Sequence, residues 1–293
     1  MKNIFSFTFA FFSIFIFSQQ QKNLTLNKYK ISVLSDSIKE TSGLNFFENR
    51  LFTFNDSGNS SEIFEIEKSS GKILKTIKTG LKNIDWEALA NDGKYFYIGD
   101  FGNNAGTRKD LRIYKIPAKN SHNSLSKDSV KIISFFYPEQ KDFAPKNINT
   151  DFDAEAMIFL NGKIHVFTKE WASKSTSHYI LNPENSENQS AQKIETFKTN
   201  FVVTDASYFN GKLYLVGYTK GTDVFLQIFE ESEPGIFFKN NSVKYYLGSA
   251  FSVGQIEGVS VDENGIYLSS EAFHSPFGVK KQSFYFIPSE KLN

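Results

Sequence analysis

The chain repeats one pattern five times, and this repeat constrains its fold more than any other feature. Each copy has a short polar start, small and apolar residues, a two-residue turn and a strongly β-forming run, as in "DWEALANDGKYFYIGD". Asn-Gly or Asp-Gly between alternating apolar runs is the strongest short signal for a β-hairpin. The repeat therefore predicts five hairpins, with turns at Glu48-Asn49, Asp92-Gly93, Asn161-Gly162, Asn210-Gly211 and Asn264-Gly265.

The spacing of the copies predicts an all-β, five-bladed β-propeller. One residue per copy sets the register: Ser42, Glu87, Glu155, Asp205 and Glu257. The intervals are 45 (87−42), 68 (155−87), 50 (205−155) and 52 (257−205), and periods of roughly 40 to 50 residues are typical of propeller blades. The long interval predicts an insertion at Ala118–Asn149, and the alternative is a six-bladed propeller with one blade there.

The two ends of the chain predict how the ring closes. After Glu257 only 36 residues remain (293−257), which suffices for three strands. We expect the missing outer strand of the last blade to be "YKISVL", Tyr29 to Leu34. An N-terminal strand that completes the last blade covers an exposed sheet edge.

The first residues predict export. Lys2 precedes the apolar stretch Ile4–Phe17, and Ser18 is a small residue at which cleavage could occur, so 1–18 is interpreted as a secretory signal peptide. Residues 19–28 are then a short linker and 29–293 a single propeller domain. The protein is expected in the periplasm or outside the cell, as a monomer without a transmembrane anchor after cleavage.

Acidic residues at similar places in the repeat predict a metal site. Equivalent residues of the innermost strands should converge near one mouth of the central channel, where four carboxylates and one hydroxyl would form a ring: Ser42, Glu87, Glu155, Asp205 and Glu257. Like charges repel, so the ring should hold protons or a cation. Ca²⁺ suits a wide ring of oxygens, whereas zinc prefers His and Cys, and the chain has 4 His and no Cys.

The loops after the second strands should lie at the same mouth and face a ligand. These candidates are Asp56, Asp100, Asn103, Asn104, Arg108, Lys169, Trp171, Lys220, Glu271 and His274. If the protein is an enzyme, the candidates for catalysis are Asp100, Lys169 and Glu170. The net charge of +1 provides no large basic field, which argues against a nucleic-acid polymer as partner.

The stretches "ETSGLNFFENRLFTFND" and "DWEALANDGKYFYIGDFG" resemble the first two hairpins of the calcium-activated nucleotidase (apyrase) family. That resemblance implies a secreted five-bladed propeller with an axial calcium. Ser42, Glu87, Glu155 and Glu257 match its ligand positions, and Asp205 stands where the family has serine. A weaker likeness links the chain to SdiA-regulated and esterase-like phytase propellers, and a further one to exported propellers of unassigned function with "DWE" and "GDFGNN" motifs.

Two functions remain open from the sequence. In the first, a calcium-bound propeller is a scaffold that binds a small molecule, a carbohydrate or a protein at the ring mouth. In the second, it is a metal-dependent phosphohydrolase acting on nucleotides or phosphoesters, in which loop cations neutralise the phosphate charge. The scattered positions of those cations favour the first.

Overall fold

The protein is a five-bladed β-propeller. The structure is a computed structural model that describes residues 20–118, 129–185, 187–276 and 278–292. The predicted signal peptide, 1–18, lies outside the described residues. In chain order the strands are β1 (Gln20–Asn23), β2 (Lys30–Val33), β3 (Thr41–Phe47), β4 (Arg50–Asn55), β5 (Glu62–Ile66), β6 (Ile73–Lys78), β7 (Trp86–Asn91), β8 (Tyr95–Asp100), β9 (Arg112–Pro117), β10 (Lys131–Phe136), β11 (Ala154–Leu160), β12 (Lys163–Thr168), β13 (Thr176–Leu181), β14 (Gln189–Ser190), β15 (Gln192–Phe197), β16 (Val202–Phe209), β17 (Lys212–Tyr218), β18 (Asp223–Glu230), β19 (Ser242–Ser249), β20 (Gln255–Val261), β21 (Gly265–Glu271), β22 (Phe273–Ser275), β23 (Gly278–Lys280) and β24 (Ser283–Pro288).

Helical structure in the described residues is confined to short segments. The α-helix α1 (Ala250–Val253) is a single turn, and the 3₁₀ helices are Leu26–Tyr29, Asp36–Ile38 and Ser289–Lys291. No helix among the described residues is long and apolar enough to cross a membrane.

Each blade is an antiparallel sheet that starts at the channel. The first blade is β3-β4-β5-β6, the second β7-β8-β9-β10, the third β11-β12-β13-β15, the fourth β16-β17-β18-β19 and the fifth β20-β21-β24-β2. The innermost strands contact one another in the circular order β3, β7, β11, β16, β20 and back to β3. The prediction of five blades is confirmed, and the described residues contain no sixth.

The Asn-Gly turns of the third and fourth blades have the backbone geometry that their sequences predict. Asn161 and Gly162 have φ of 50° and 73°, and Asn210 and Gly211 have φ of 48° and 75°. Positive φ at both central residues belongs to the tight turn whose twist matches that of a β-hairpin, and Asn and Gly adopt it most easily. These turns lie at the mouth opposite the starts of the innermost strands.

Apolar side chains fill the spaces between the blades. The described residues form five buried clusters, one between each pair of neighbouring blades. Between the first and second blades, for example, the rings of Phe54 and Trp86 meet edge to face with centroids 5.6 Å apart. Because each blade is covered on both faces, inner strands such as β8 are buried along nearly their whole length.

The N-terminal closure is confirmed. Strand β2 pairs antiparallel with β24, with Lys30 opposite Tyr285 and Val33 opposite Ser283. Preceding residues, predicted as a linker, form β1, which pairs parallel with β19 at the edge of the fourth blade. Leu24 and Leu26 anchor this segment, because both are buried between the fourth and fifth blades.

The segment predicted as an insertion contributes to the second blade. Within Ala118–Asn149, β10 forms the fourth strand of that blade and pairs with β9. Its sequence, "KIISFF", buries alternate residues, Ile133 and Phe135, whereas Ile132 and Phe136 face outward. β14, which lies in the connection between β13 and β15 of the third blade, pairs parallel with β10.

Candidate metal centre

All five innermost strands carry a β-bulge near their first residues. The strand register shifts between Ser42 and Leu44 in β3, Trp86 and Ala88 in β7, Ala154 and Ala156 in β11, Val203 and Asp205 in β16, and Ile256 and Gly258 in β20. The extra residues are Gly43, Glu87, Glu155, Thr204 and Glu257. Bulges commonly redirect a side chain beside a functional site, and here three of them carry a buried glutamate.

Two residues of the predicted ring lie one position away from the bulge residue and make other contacts. The Asp205 carboxylate accepts hydrogen bonds from the backbone N–H of Val259 at 2.7 Å, Ala206 at 2.8 Å and Leu44 at 3.2 Å. It therefore joins the fourth blade to the fifth and the first. The Ser42 hydroxyl donates to the carbonyl of Glu87 at 3.0 Å and links the first two blades. The structure brings together Glu87, Glu155 and Glu257.

The structure adds two aspartates to the Glu87 side of this cluster. One carboxylate oxygen each from Asp56, Asp85 and Glu87 lie within 4.8 Å of one another. Glu87 is 4% exposed, and its carboxylate makes no hydrogen bond or ion pair within the described part of the chain. A buried carboxylate without a partner is costly, because the charge loses its hydration without compensation. This side of the cluster therefore lacks a positive charge or hydrogen-bond donor for the Glu87 carboxylate among the described residues.

Gly102 leaves the space that the acidic side chains occupy. A Cβ atom on this residue would lie 2.4 Å from both Asp85 Oδ2 and Glu87 Oε1. The Gly102 N–H donates to the Asp85 carbonyl at 3.2 Å, which holds the two backbone segments together. The glycine of "GDFGNN" is thus required for the approach of the backbone to the carboxylates.

The other side of the cluster contains a lysine. Lys169, 4% exposed, donates to Glu155 Oε1 in a close ion pair and to the Tyr218 hydroxyl at 3.3 Å. Burial acts to lower the pKa of Lys169, but the charge of Glu155, with contributions from Tyr218, Glu257 and Asp153, outweighs it and raises the pKa well above its ordinary value. Lys169 therefore remains an ammonium ion inside the protein.

Burial raises the pKa of the clustered carboxyl groups, and neighbouring negative charges raise it further. The pKa of Asp56 reaches about 6 and that of Glu257 about 8. The pKa values of Glu87, Glu155 and Glu271 lie well above the ordinary value, although the Lys169 charge opposes the shift in each. One ammonium ion thus does not compensate the whole group, and Glu257 holds a proton at neutral pH unless a further cation binds.

Residues of the "GDFGNN" loop and the arginine that follows it hold the backbone around the cluster in place. Asp100 is fully buried, forms an ion pair with Arg108 at 3.1 Å and accepts from the Asp85 N–H at 3.1 Å. Arg108 also donates to the carbonyls of Asp100 and Gly102. The Asn103 N–H donates to Asp153 Oδ1 at 2.6 Å and ties this loop to the third blade. Asp100 and Arg108 therefore position the site.

The remaining predicted loop residues have separate environments. The Trp171 indole donates to Asn104 Oδ1 at 3.1 Å and Asp153 Oδ2 at 3.3 Å, and the Lys220 ammonium lies 5.7 Å from its ring centroid. Glu170 accepts from the hydroxyls of Thr168, Ser173 and Ser177. Glu271 contributes charge to the acidic cluster, whereas His274 is exposed on the β22–β23 hairpin.

Sequence reasoning missed Asp85, Asp153 and Tyr218 as members of this site. A signal for the aspartates is present in the repeat, because "DWE" and "DAE" place an aspartate two residues before Glu87 and Glu155. Residues two apart share a strand face. Tyr218 lies 13 residues after Asp205 (218−205), as Asp100 does after Glu87 (100−87), but tyrosine is frequent in β-strands for packing reasons alone.

The donor set fits a hard divalent cation. Asp56, Asp85 and Glu87 provide oxygen ligands, and no histidine belongs to the group. Calcium binds oxygens at roughly 2.3–2.6 Å, so two ligands on opposite sides of one ion lie about 4.6–5.2 Å apart. The spacing of the three carboxylate oxygens therefore accommodates calcium.

Comparison with known proteins identifies structural resemblance alone. No protein-family model matches the chain, and no curated protein matches it. A candidate oxidoreductase (glucose dehydrogenase) from Thermus thermophilus is similar over 87% of this chain and 98% of its own, with 10% identity and a TM-score of 0.47. A candidate exported protein from Bacteroides fragilis is similar over 92% and 98%, with 9% identity and a TM-score of 0.46.

Proposed function

We propose that the protein is an exported calcium-binding propeller that binds a ligand or partner at the mouth of its acidic cluster. The observation that carries this proposal is the convergence of Asp56, Asp85 and Glu87, with the Glu87 carboxylate buried and unpartnered among the described residues. Calcium would be held by these three carboxylates and neutralise them. Export is inferred from the N-terminal sequence, which predicts a signal peptide.

The loops around the cluster support a role in binding. Loops on a rigid scaffold are common sites of recognition. Lys220 is exposed, and its ammonium lies against the indole of Trp171, next to the Lys169 side of the cluster. A small molecule, a carbohydrate or a protein segment with an oxygen ligand could contact the cation and this rim together.

The environments of Asp100 and Glu170 argue against a role for either residue in acid–base catalysis. Asp100 is paired with Arg108, and Glu170 is satisfied by three hydroxyl groups. A general base needs access to the proton that it removes. The apyrase- or phytase-like phosphohydrolase is therefore the second candidate, and the scaffold is the first.

Calcium titration by calorimetry tests the metal centre. We expect one calcium ion per chain and a higher melting temperature in calcium than in chelator, because a ligand that binds the folded state stabilises it. Glu87→Gln should reduce calcium affinity at least tenfold, whereas Glu290→Gln, at an exposed C-terminal residue, should leave it unchanged. Equal melting temperatures in calcium and in chelator would refute the proposal.

Phosphate release from several nucleotides and phosphoesters separates the two functions. The scaffold predicts no calcium-dependent release. Turnover that requires calcium and is lost in Glu87→Gln would establish the phosphohydrolase instead. Ligand screens with carbohydrates and peptides should be made with calcium present. Ligand binding that persists in chelator would place the ligand elsewhere.

A further inference from the structure

The Lys169 ammonium is surrounded by oxygen atoms and acidic groups of the kind that line a divalent-cation site. Its nitrogen lies against Glu155 Oε1 and 3.3 Å from the Tyr218 hydroxyl, and Glu257 and Asp153 contribute negative charge to it. The Tyr218 hydroxyl also acts to lower the pKa of Glu257. The surrounding polar atoms are thus oxygens, which are the ligands that calcium prefers.

The indole of Trp171 and the ring of Tyr218 hold the lysine in place. The ammonium lies 5.1 Å from the Trp171 centroid and 5.3 Å from the Tyr218 centroid. The Lys169 N–H also donates to the Asp153 carbonyl at 2.8 Å, which fixes the start of the side chain. These contacts fix the position of the Lys169 ammonium beside the carboxylates.

The two sides of the cluster differ in how their charge is balanced. Glu155 has a lysine of the same chain as its counter-ion, whereas Asp56, Asp85 and Glu87 share no ammonium or guanidinium within 4.0 Å among the described residues. All these acids influence one another, since Glu155 raises the pKa of Glu87, and Asp56 raises that of Glu257. They therefore behave as one electrostatic unit with two places for positive charge.

We propose that Lys169 is a built-in cation that fills a second divalent-cation site and so limits this propeller to one bound metal ion. The second site consists of Glu155 and Glu257 with the Tyr218 hydroxyl. This inference rests on the proposed calcium centre at Asp56, Asp85 and Glu87. Removing the ammonium leaves Glu155 and Glu257 uncompensated, and a divalent cation can then replace the lost charge.

Calcium stoichiometry in Lys169→Met tests the inference. Methionine is an unbranched side chain of similar length, and it removes the charge. We expect one calcium ion per wild-type chain and two per Lys169→Met chain, with a calcium-induced rise in melting temperature at least twice that of the wild type. Lys169→Arg retains a positive charge and should bind one ion, as should Lys198→Gln, which alters an exposed lysine.

The outcomes separate this inference from the proposed calcium centre. One ion in both the wild type and Lys169→Met would overturn the inference and retain the calcium centre. No ion in the wild type would refute the calcium centre and, with it, the inference that Lys169 limits the chain to one ion. If Lys169→Met folds only in calcium, two bound ions per folded chain support the second site and one bound ion overturns it. If it stays unfolded in calcium, the inference is wrong.

Discussion

His165 and His178 form a buried pair in the third blade, with 2.7 Å between His165 Nδ1 and His178 Nε2. His178 Nδ1 lies 3.1 Å from Glu195 Oε1, and His165 Nε2 lies 3.2 Å from the Leu160 carbonyl oxygen. Glu195 also accepts from the N–H groups of Phe237 and Phe238, at 2.9 Å each. The chain of contacts therefore attaches a loop of the fourth blade to the third.

This pair should make the protein less stable in acid. Burial, followed by the neighbouring His178, lowers the pKa of His165 from 6.5 to about 4. The unfolded chain then binds more protons between these values, so stability is complete above about pH 6.5 and is lost as the pH falls towards 4. We expect a loss of about 2 kcal/mol in the free energy of unfolding. Denaturant unfolding at pH 7 and pH 4.5 measures it.

His165→Gln should reduce this acid dependence, because glutamine does not titrate. His274→Gln is the matched control, since His274 is exposed. An unchanged pH profile in His165→Gln would show that other groups cause the acid loss.

Lys244 should produce a dependence of the same sign at alkaline pH, with stability rising as the pH increases. Its ammonium donates to the Thr199 carbonyl at 2.8 Å and lies 4.1 Å from the Phe225 ring centroid, and burial lowers the pKa of Lys244 from 10.5 to about 8. Between these values the unfolded chain binds more protons, so stability should rise by about 1–2 kcal/mol as the pH increases from 8 to 10.5.

Lys244→Met removes the titrating group and should abolish that rise. Lys198→Met, at an exposed position, should retain it. Thermal unfolding of the three proteins at several alkaline pH values is the measurement. A rise that persists in Lys244→Met would assign it to another residue.

Gly102→Ala should weaken calcium binding without unfolding the protein. The added methyl group would displace the Asp85 and Glu87 carboxylates, from which it would lie only 2.4 Å away. We expect at least a tenfold loss of affinity, about 1.4 kcal/mol. Gly221→Ala is the control, because the nearest atom to its Cβ would be Thr219 Oγ1 at 3.6 Å. Equal affinities in calorimetry would exclude the proposed position of the ion.

Deletion of residues 20–34 should cause aggregation, because it uncovers β24 at the edge of the fifth blade. Deletion of 20–23 alone removes β1 but keeps β2, and should cost less stability. Light scattering and thermal unfolding measure both effects. If the longer deletion stays monomeric with an unchanged melting temperature, β2 is not needed for closure.

The fold was predictable because its signals are local and repeated. Asn161-Gly162 and Asn210-Gly211 mark their hairpins without reference to the rest of the chain, and Tyr29–Leu34 differs from the observed strand by one residue at each end. β1 was not predictable, since its polar sequence is held by pairing with β19. Parallel pairing of distant segments leaves little trace in a short sequence window.

The candidate site was only partly predictable, because bulges shift the strand register. Counting from one repeat to the next placed Asp205 beside Glu87, but the bulge residue of β16 is Thr204. A shift of one residue reverses the direction of a strand side chain. The position of Lys169 also depends on how two blades meet, which the sequence of its own loop does not specify.

The seam between β2 and β24 determines how the ring would respond to mechanical force. The two strands are antiparallel, so Lys30 lies opposite Tyr285, close to where β24 ends at Pro288. A pull that separates Lys30 from Pro288 would load the hydrogen bonds one after another, as in a zipper, and not all together in shear. The propeller should therefore open at this seam under low tension.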